Sequence, residues 1–272
     1  MTASPPFTLA VVGPFRPDRV RLEWTAVGRR SHPEVEAAIE ATWAERTAEA
    51  AARGGMLWSA PMARLVDWRV DEGTLTLRMG PTTYRDFVGT NVANPWVAER
   101  YGSDALSDGC GVSALVATAD GQLILQRRSA AVFEFAGLVA ACGGAVEPGE
   151  GDDPPAALDA QARRELREEL GLTDGDVRGT TLLGVGYTTA RHKPEVVYLA
   201  ETTATWEELR GRAHEEHAGL VAIPDTAAAV AETLRDGWDA FAPPGLMALT
   251  MREVCRFAEA LREGRGAEGG DG

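Results

Sequence analysis

Gly143-Gly144-Ala145-Val146-Glu147-Pro148-Gly149-Glu150, followed after an interval by Arg164-Glu165-Leu166-Arg167-Glu168-Glu169-Leu170-Gly171-Leu172, is the stretch on which the reading of this chain turns. Its second half has the marks of a helix closed by a glycine stop. Leu158, Ala162, Leu166 and Leu170 recur every fourth residue and form one apolar stripe for packing. Glu165, Glu168 and Glu169 stand at i, i+3 and i+4, so a helix gathers their carboxylates into one cluster along the edge of that stripe. Clustered carboxylates repel one another and raise each other's pKa values unless a cation lies between them. The arrangement therefore points to a hard divalent ion, Mg²⁺ or in its place Mn²⁺. The glycines ahead of the helix let backbone approach a ligand or the helix end closely. A Glu- and Arg-rich helix by itself is commonly only a solvated face; the glycine loop in register with it makes the functional reading the stronger one.

The glycine loop, Glu150 and the run Arg164-Glu165-Leu166-x-Glu168-Glu169-x-Gly171-Leu172 together resemble the Nudix box, the signature of hydrolases that cleave nucleoside diphosphates linked to another group. Gly151 to Arg163 fill an interval about twice as long as in the family pattern. That excess holds Asp152-Asp153-Pro154-Pro155, read as an Asp cap and a proline in the first turn. The resemblance implies a catalytic role for Arg164, Glu165, Glu168 and Glu169. It also implies metal ligation by the three glutamates, the backbone carbonyl of Gly144 and Glu150.

The remainder of the chain fits a soluble enzyme of this kind. With 272 residues and a formal net charge of −14, general binding to nucleic acid or an anionic membrane is opposed by long-range repulsion. No apolar run is long enough to span a bilayer, and Met1 to Pro6 lacks the regions of a signal peptide, so a cytoplasmic location is expected. No obligate protein partner is evident. Cys110, Cys142 and Cys255 are odd in number and widely spaced, which argues against a disulfide framework or a cysteine-based zinc site. His192, His214 and His217 lack a familiar zinc spacing. Lys193 is the one lysine, a bias that coding composition explains.

Before about Asp104 the pattern reads β-β-α-β-β: strands at Phe7–Val12 and Val20–Thr25, a Ser31-capped helix to about Arg53, and a hairpin of Ala63–Val70 and Thr74–Met79 with Leu75, Leu77 and Met79 on one face. A small N-terminal α/β module over residues 1–103 is expected. The catalytic part, 104–263, is expected to be an α/β/α sandwich around a mixed sheet. Its strands are Val112–Thr118, Gln122–Arg128, Gly137–Cys142, Leu182–Thr188, Glu195–Glu201 and Val221–Ile223. Helices follow from Pro224 to Asp236 and from Pro243 to Arg262, the last with Leu246, Leu249, Val254, Phe257 and Leu261 inward. A disordered tail is expected for 264–272.

Tyr84-Arg85-Asp86, the hairpin ending in Gln126-Arg127-Arg128-Ser129 and the lengthened box narrow the resemblance to the mammalian UDP-glucose/UDP-galactose diphosphatases within the Nudix superfamily. What this implies is metal-dependent hydrolysis of a UDP-sugar to UMP and sugar 1-phosphate. Tyr84, Arg85, Arg127, Arg128 and His192 are the candidate substrate contacts, and a small nucleotide-sugar is the partner. For Tyr84-Arg85-Asp86, a polar latch between the two modules is an equal alternative. ADP-ribose or another nucleoside diphosphate derivative stays open as substrate, as does a catalytically silent nucleotide-binding module.

Overall fold

The structure is a computed structural model that describes residues 5–129, 134–149, 157–212 and 217–268. In chain order its elements are β1 (Phe7–Phe15), β2 (Val20–Trp24), α1 (Pro33–Ala52), β3 (Pro61–Asp71), β4 (Thr74–Thr83), α2 (Tyr84–Phe87), α3 (Trp96–Tyr101), β5 (Gly111–Ala117), β6 (Gln122–Arg128), β7 (Val139–Ala140) and β8 (Cys142–Ala145). They continue with α4 (Leu158–Leu170), β9 (Val177–Thr188), β10 (Lys193–Thr202), α5 (Trp206–Gly211), β11 (His217–Pro224), α6 (Ala227–Asp236) and α7 (Pro243–Glu268).

An eight-stranded sheet runs β1-β9-β10-β5-β6-β11, with β7 paired to β6 and β8 to β5. It is mixed: β10 and β5 are parallel, with Glu195 opposite Gly111, while β5 and β8 are antiparallel, with Ser113 opposite Gly143. Alternation along β5 and β10 divides the core between the two faces. Val112, Ala114, Val116, Val196 and Tyr198 meet Leu158, Ala162, Leu166 and Leu170 of α4 on one face. Leu115, Val197 and Leu199 meet Leu246, Met247, Leu249 and Met251 of α7 on the other. The result is the expected α/β/α sandwich.

The expected β-β-α-β-β order is present before Asp104, with the short helices α2 and α3 added after it, but its strands do not stay together. β1 is an edge strand of the large sheet, paired antiparallel with β9. Only β2, β4 and β3 make the small sheet. Strand propensity is local, whereas the choice of partner is a long-range matter of which face is buried. Nor is the small sheet detached from the large one. Ala63 N–H donates to Val146 O at 2.8 Å and Cys110 N–H donates to Ala63 O at 2.8 Å, so β3 is laced to the glycine loop. Leu75, Leu77 and Met79 are fully buried and join the core that α4 covers.

Three smaller readings change. His32, not Ser31, caps α1: its ring accepts from Glu34 N–H at 3.2 Å, while Ser31 Oγ donates to Glu36 at 2.7 Å. In α7, Leu246 and Leu249 face inward as expected, but Val254, Phe257 and Leu261 are 41%, 66% and 49% exposed. The buried line instead follows Met247, Met251 and Cys255 at intervals of four. α7 also continues to Glu268, into the stretch read as a tail. Among the described residues no helix is long and apolar enough to cross a membrane.

Candidate functional site

α4 folds as its stripe requires: Leu158, Ala162, Leu166 and Leu170 are all buried, and Gly171 ends the helix with φ of 62°, a conformation that glycine adopts without strain. Ala157 stands at the N-cap and makes no side-chain cap, while the Asp-Pro segment read as the cap lies outside the described residues, as does Glu150. Burial of the stripe carries two of the glutamates down with it. Glu165 and Glu169, one turn apart, are 9% and 8% exposed. Glu168 lies further round from the stripe and stays in solvent, its side chain 56% exposed and 3.8 Å from Arg164.

The glycine loop lies against these two buried carboxylates. Glu169 Oε2 accepts from Gly143 N–H and from Gln126 Nε2, each at 2.8 Å. Gly144 lies so close to Glu165 that a Cβ on it would stand 2.7 Å from Oε2. Arg164 joins loop to helix, donating to Glu165 Oε1 at 2.9 Å and to Glu147. Gln161, one turn earlier, accepts from Glu147 N–H at 2.9 Å. Burial pushes the Glu169 carboxyl up to about 7, against the hydrogen bonds from Gln126 and Gly143 that favour its ionised form. Burial also raises Glu165, which Arg164 partly offsets.

Two buried acids that repel one another fit a cation better than they fit a bare fold. The second polar atom of Gln126, Oε1, is buried and has no hydrogen-bond partner, so this corner also holds an unused oxygen donor. Among the described residues no three acidic, histidine or cysteine side chains converge to enclose an ion. The donors at hand for a hard cation are thus Glu165 and Glu169, with the Gly144 carbonyl and the exposed Glu168 alongside on the same loop and helix.

Beside the loop opens a cleft of about 230 Å3 whose lining includes Gly143, Gly144, Tyr84, Phe87 and Arg128. Tyr84 opens α2, where Thr83 accepts from Asp86 N–H at 3.1 Å, and its ring meets Trp43 of α1 edge-on at 6.3 Å. Alternation along β6 separates the two arginines. Gln126 and Arg128 share the face toward the site, and Arg128 lines the cleft while its Nε donates to Glu134 O at 2.8 Å. Arg127 points the other way, to Gly137 O at 2.9 Å. Arg85 pairs with Glu40 on α1 and does not line the cleft; both residues lie before Asp104, so this pair does not join the two modules. His192 is also turned from the cleft lining: with φ of 47° it places Nδ1 3.1 Å from Asp108 Oδ1 and its ring 4.9 Å from that of Tyr187.

Sequence reasoning passed over Lys193 and Glu195, which begin β10 and both line the cleft. Lys193 Nζ donates to Glu134 Oε2 at 3.0 Å. Glu195, 3% exposed, accepts from Ser113 Oγ and occupies the space over Gly111 that a Cβ would fill. A signal was present in both cases: one lysine in the whole chain, and one carboxylate heading the apolar run Val196-Val197-Tyr198-Leu199-Ala200.

Residues 109–238 match the family model described as the NUDIX domain. Over 144 residues the chain is 37% identical to uridine diphosphate glucose pyrophosphatase NUDT22 of Bos taurus, which covers 48% of either chain. Over 82 residues it is 44% identical to the Homo sapiens protein of the same name, 27% of either chain. The chain thus matches about half the length, at most, of these curated relatives. Among solved structures, that of DR0079 from Deinococcus radiodurans aligns at 23% identity with a TM-score of 0.39, over 53% of this chain and 82% of that one. The glycine loop, the carboxylate helix and the strands that carry Arg128 and Lys193 all fall within the stretch, residues 109–238, that matches the NUDIX domain model.

Proposed function

We propose that the chain hydrolyses the diphosphate of a UDP-sugar, UDP-glucose or UDP-galactose, to UMP and sugar 1-phosphate with the help of a divalent cation. The observation that carries this reading is the pairing of two buried carboxylates, Glu165 and Glu169, with the glycine loop that borders a cleft bearing a cationic side chain. Likeness to proteins named uridine diphosphate glucose pyrophosphatase supports the choice of substrate.

In this reading Glu165 and Glu169 would hold Mg²⁺, with Glu168 and the Gly144 carbonyl as further donors; Glu150, the donor that the resemblance adds, lies outside the described residues. A divalent cation there supplies Lewis acidity toward a phosphoryl oxygen and acidifies bound water. Gly143 N–H and Gln126 fix the Glu169 carboxylate in one orientation, and Arg164 fixes that of Glu165, so the donors need little reorganisation when the substrate arrives. Arg128 offers the diphosphate a planar cation, which a chain of net charge −14 must supply locally. Tyr84 and Phe87 give the cleft aromatic walls on which a base or sugar can rest. A small nucleotide-sugar as the partner and a cytoplasmic location belong to the same reading.

The test is a substrate panel. Incubation with Mg²⁺ and UDP-glucose, UDP-galactose, ADP-ribose, GDP-mannose or a nucleoside triphosphate, with separation of products, should yield UMP and glucose 1-phosphate from UDP-glucose. Release of UDP and free glucose would place cleavage at the glycosidic bond and sink the proposal. Turnover should vanish in EDTA and return with Mg²⁺ or Mn²⁺; undiminished turnover in chelator would remove the metal.

A further inference from the structure

Of the 27 lysines and arginines, Lys193 is the one lysine, and the fold sets it in the cleft beside the glycine loop. Its side chain is 13% exposed, and its ammonium lies between two carboxylates: 3.0 Å from Glu134 Oε2 and 4.0 Å from Glu195 Oε2. Both acids favour the charged form and together outweigh burial, so the group is held as an ammonium. An ammonium has three N–H donors. Among the described residues one of them is used, on Glu134, while Glu195 stands beyond hydrogen-bond distance and its Oε2 is buried without a partner. Glu195 is itself fixed: Ser113 donates to its other oxygen, and Gly111 leaves the room its carboxylate needs. The cleft therefore presents a positioned cation with donors to spare, next to Arg128 on the neighbouring wall.

We infer that Lys193 is a phosphate contact: its ammonium donates to a non-bridging oxygen of the substrate's diphosphate, with Glu134 as its counter-ion. The inference deepens the proposed hydrolysis and rests on it for the identity of the ligand. A structural alternative exists, in which Lys193 only ties β10 to Glu134. The two differ in geometry, because a tie has no need to face a cavity or to leave donors free. They also differ in chemistry. A compact ammonium fits between two acids and can share its protons with a third anion, whereas a planar guanidinium presents its donors in a fixed fork, so that it replaces the ammonium only in part.

The lone lysine makes the test direct. Tag-free protein labelled with lysine carrying ¹³C at Cε gives a single resonance from this one side chain. Titration with UDP-glucose, ADP-ribose, UMP and uridine, all without metal, should move that resonance saturably for at least one phosphate-bearing ligand and leave it in place for uridine. In parallel, Lys193→Gln should raise KM at least tenfold, with partial recovery in Lys193→Arg. A resonance that moves with none of the phosphates, or equally with uridine and UMP, overturns the contact, as does an unchanged KM in Lys193→Gln. The resonance is read on the unaltered chain, so this arm stands even where a substituted chain fails to fold. The two readings fail separately. A chain that does not hydrolyse UDP-glucose but whose lysine responds to ADP-ribose or UMP has lost the proposed substrate and kept the phosphate contact.

Discussion

Glu169 on α4 accepts the backbone N–H of Gly143 at 2.8 Å, so the acid and the glycine loop are positioned by each other. A carboxylate that is fixed by donors and yet raised to about 7 by burial is poised to gain from a cation.

The glutamates should therefore act unequally. Glu165→Gln and Glu169→Gln, each removing a buried charge, should lower turnover by roughly 3 kcal/mol, about a hundredfold, through loss of a charged metal ligand. Glu168 stands 56% exposed, and Glu168→Gln should cost less than either. Without metal, the melting temperatures of the two buried variants should be unchanged or raised, since a repelling, desolvated charge has gone. Steady-state kinetics and melting curves with and without Mg²⁺ check this. Lower metal-free stability with turnover retained would make the glutamates structural.

The pH dependence follows from the same acid. In the folded chain Glu169 is raised to about 7 from an ordinary value of 4.5. Its protonated form is thus the one the fold prefers, so its contribution to stability is fully present below about 4.5 and is lost as pH rises through about 7. The most this can amount to is about 3 kcal/mol. Metal-free wild type should lose stability relative to Glu169→Gln between pH 5 and pH 8. Stabilisation by Mg²⁺ should grow over that same window, because the ion binds the carboxylate form. A difference that stays flat with pH would show that Glu169 does not titrate there.

Adjacent glycines should fail in different ways. At Gly143 a Cβ would meet Val112 O at 2.1 Å, and φ is 156°, so Gly143→Ala should destabilise the fold by roughly 2–4 kcal/mol. At Gly144 the nearest atom is Glu165 Oε2 at 2.7 Å, the far end of a side chain rather than backbone, which makes room by giving up its contact with Arg164. Gly144→Ala should keep most of the stability and lose turnover and Mg²⁺ affinity. Denaturant unfolding with isothermal titration of Mg²⁺ separates the two, and equal loss of stability in both variants would contradict the assignment.

Arg128 and Arg127 provide a paired control. Arg128→Ala should raise KM for UDP-glucose about tenfold or more, as loss of a charge-assisted contact of ~1.5–3 kcal/mol would. Arg127→Ala, which gives up one exposed bond to Gly137 O, should leave KM and kcat within twofold or so. The reverse ranking would mean that the substrate approaches from the other face of β6.

The sequence by itself determined what depends on local periodicity. The stripe of α4, its stop at Gly171 and the alternation of Leu75, Leu77 and Met79 are short-range consequences of helix and strand geometry, and each appears in the fold as read. The i, i+3, i+4 spacing also placed the three glutamates on neighbouring positions. Tertiary structure decided which of them are buried, because α4 packs with its stripe on β5 and β10 and leaves Glu168 on the open edge. It likewise put β1 in the large sheet and Arg128 rather than Arg127 on the cleft wall, and set Arg85 and His192 apart from that wall. Lys193 and Glu195 stood out in the sequence, but their place in the cleft came only from laying β10 parallel to β5, since a charge heading an apolar strand has no address until its neighbours are known. Pairing between distant strands fixes such addresses, and a single sequence carries its alternation but not its partner.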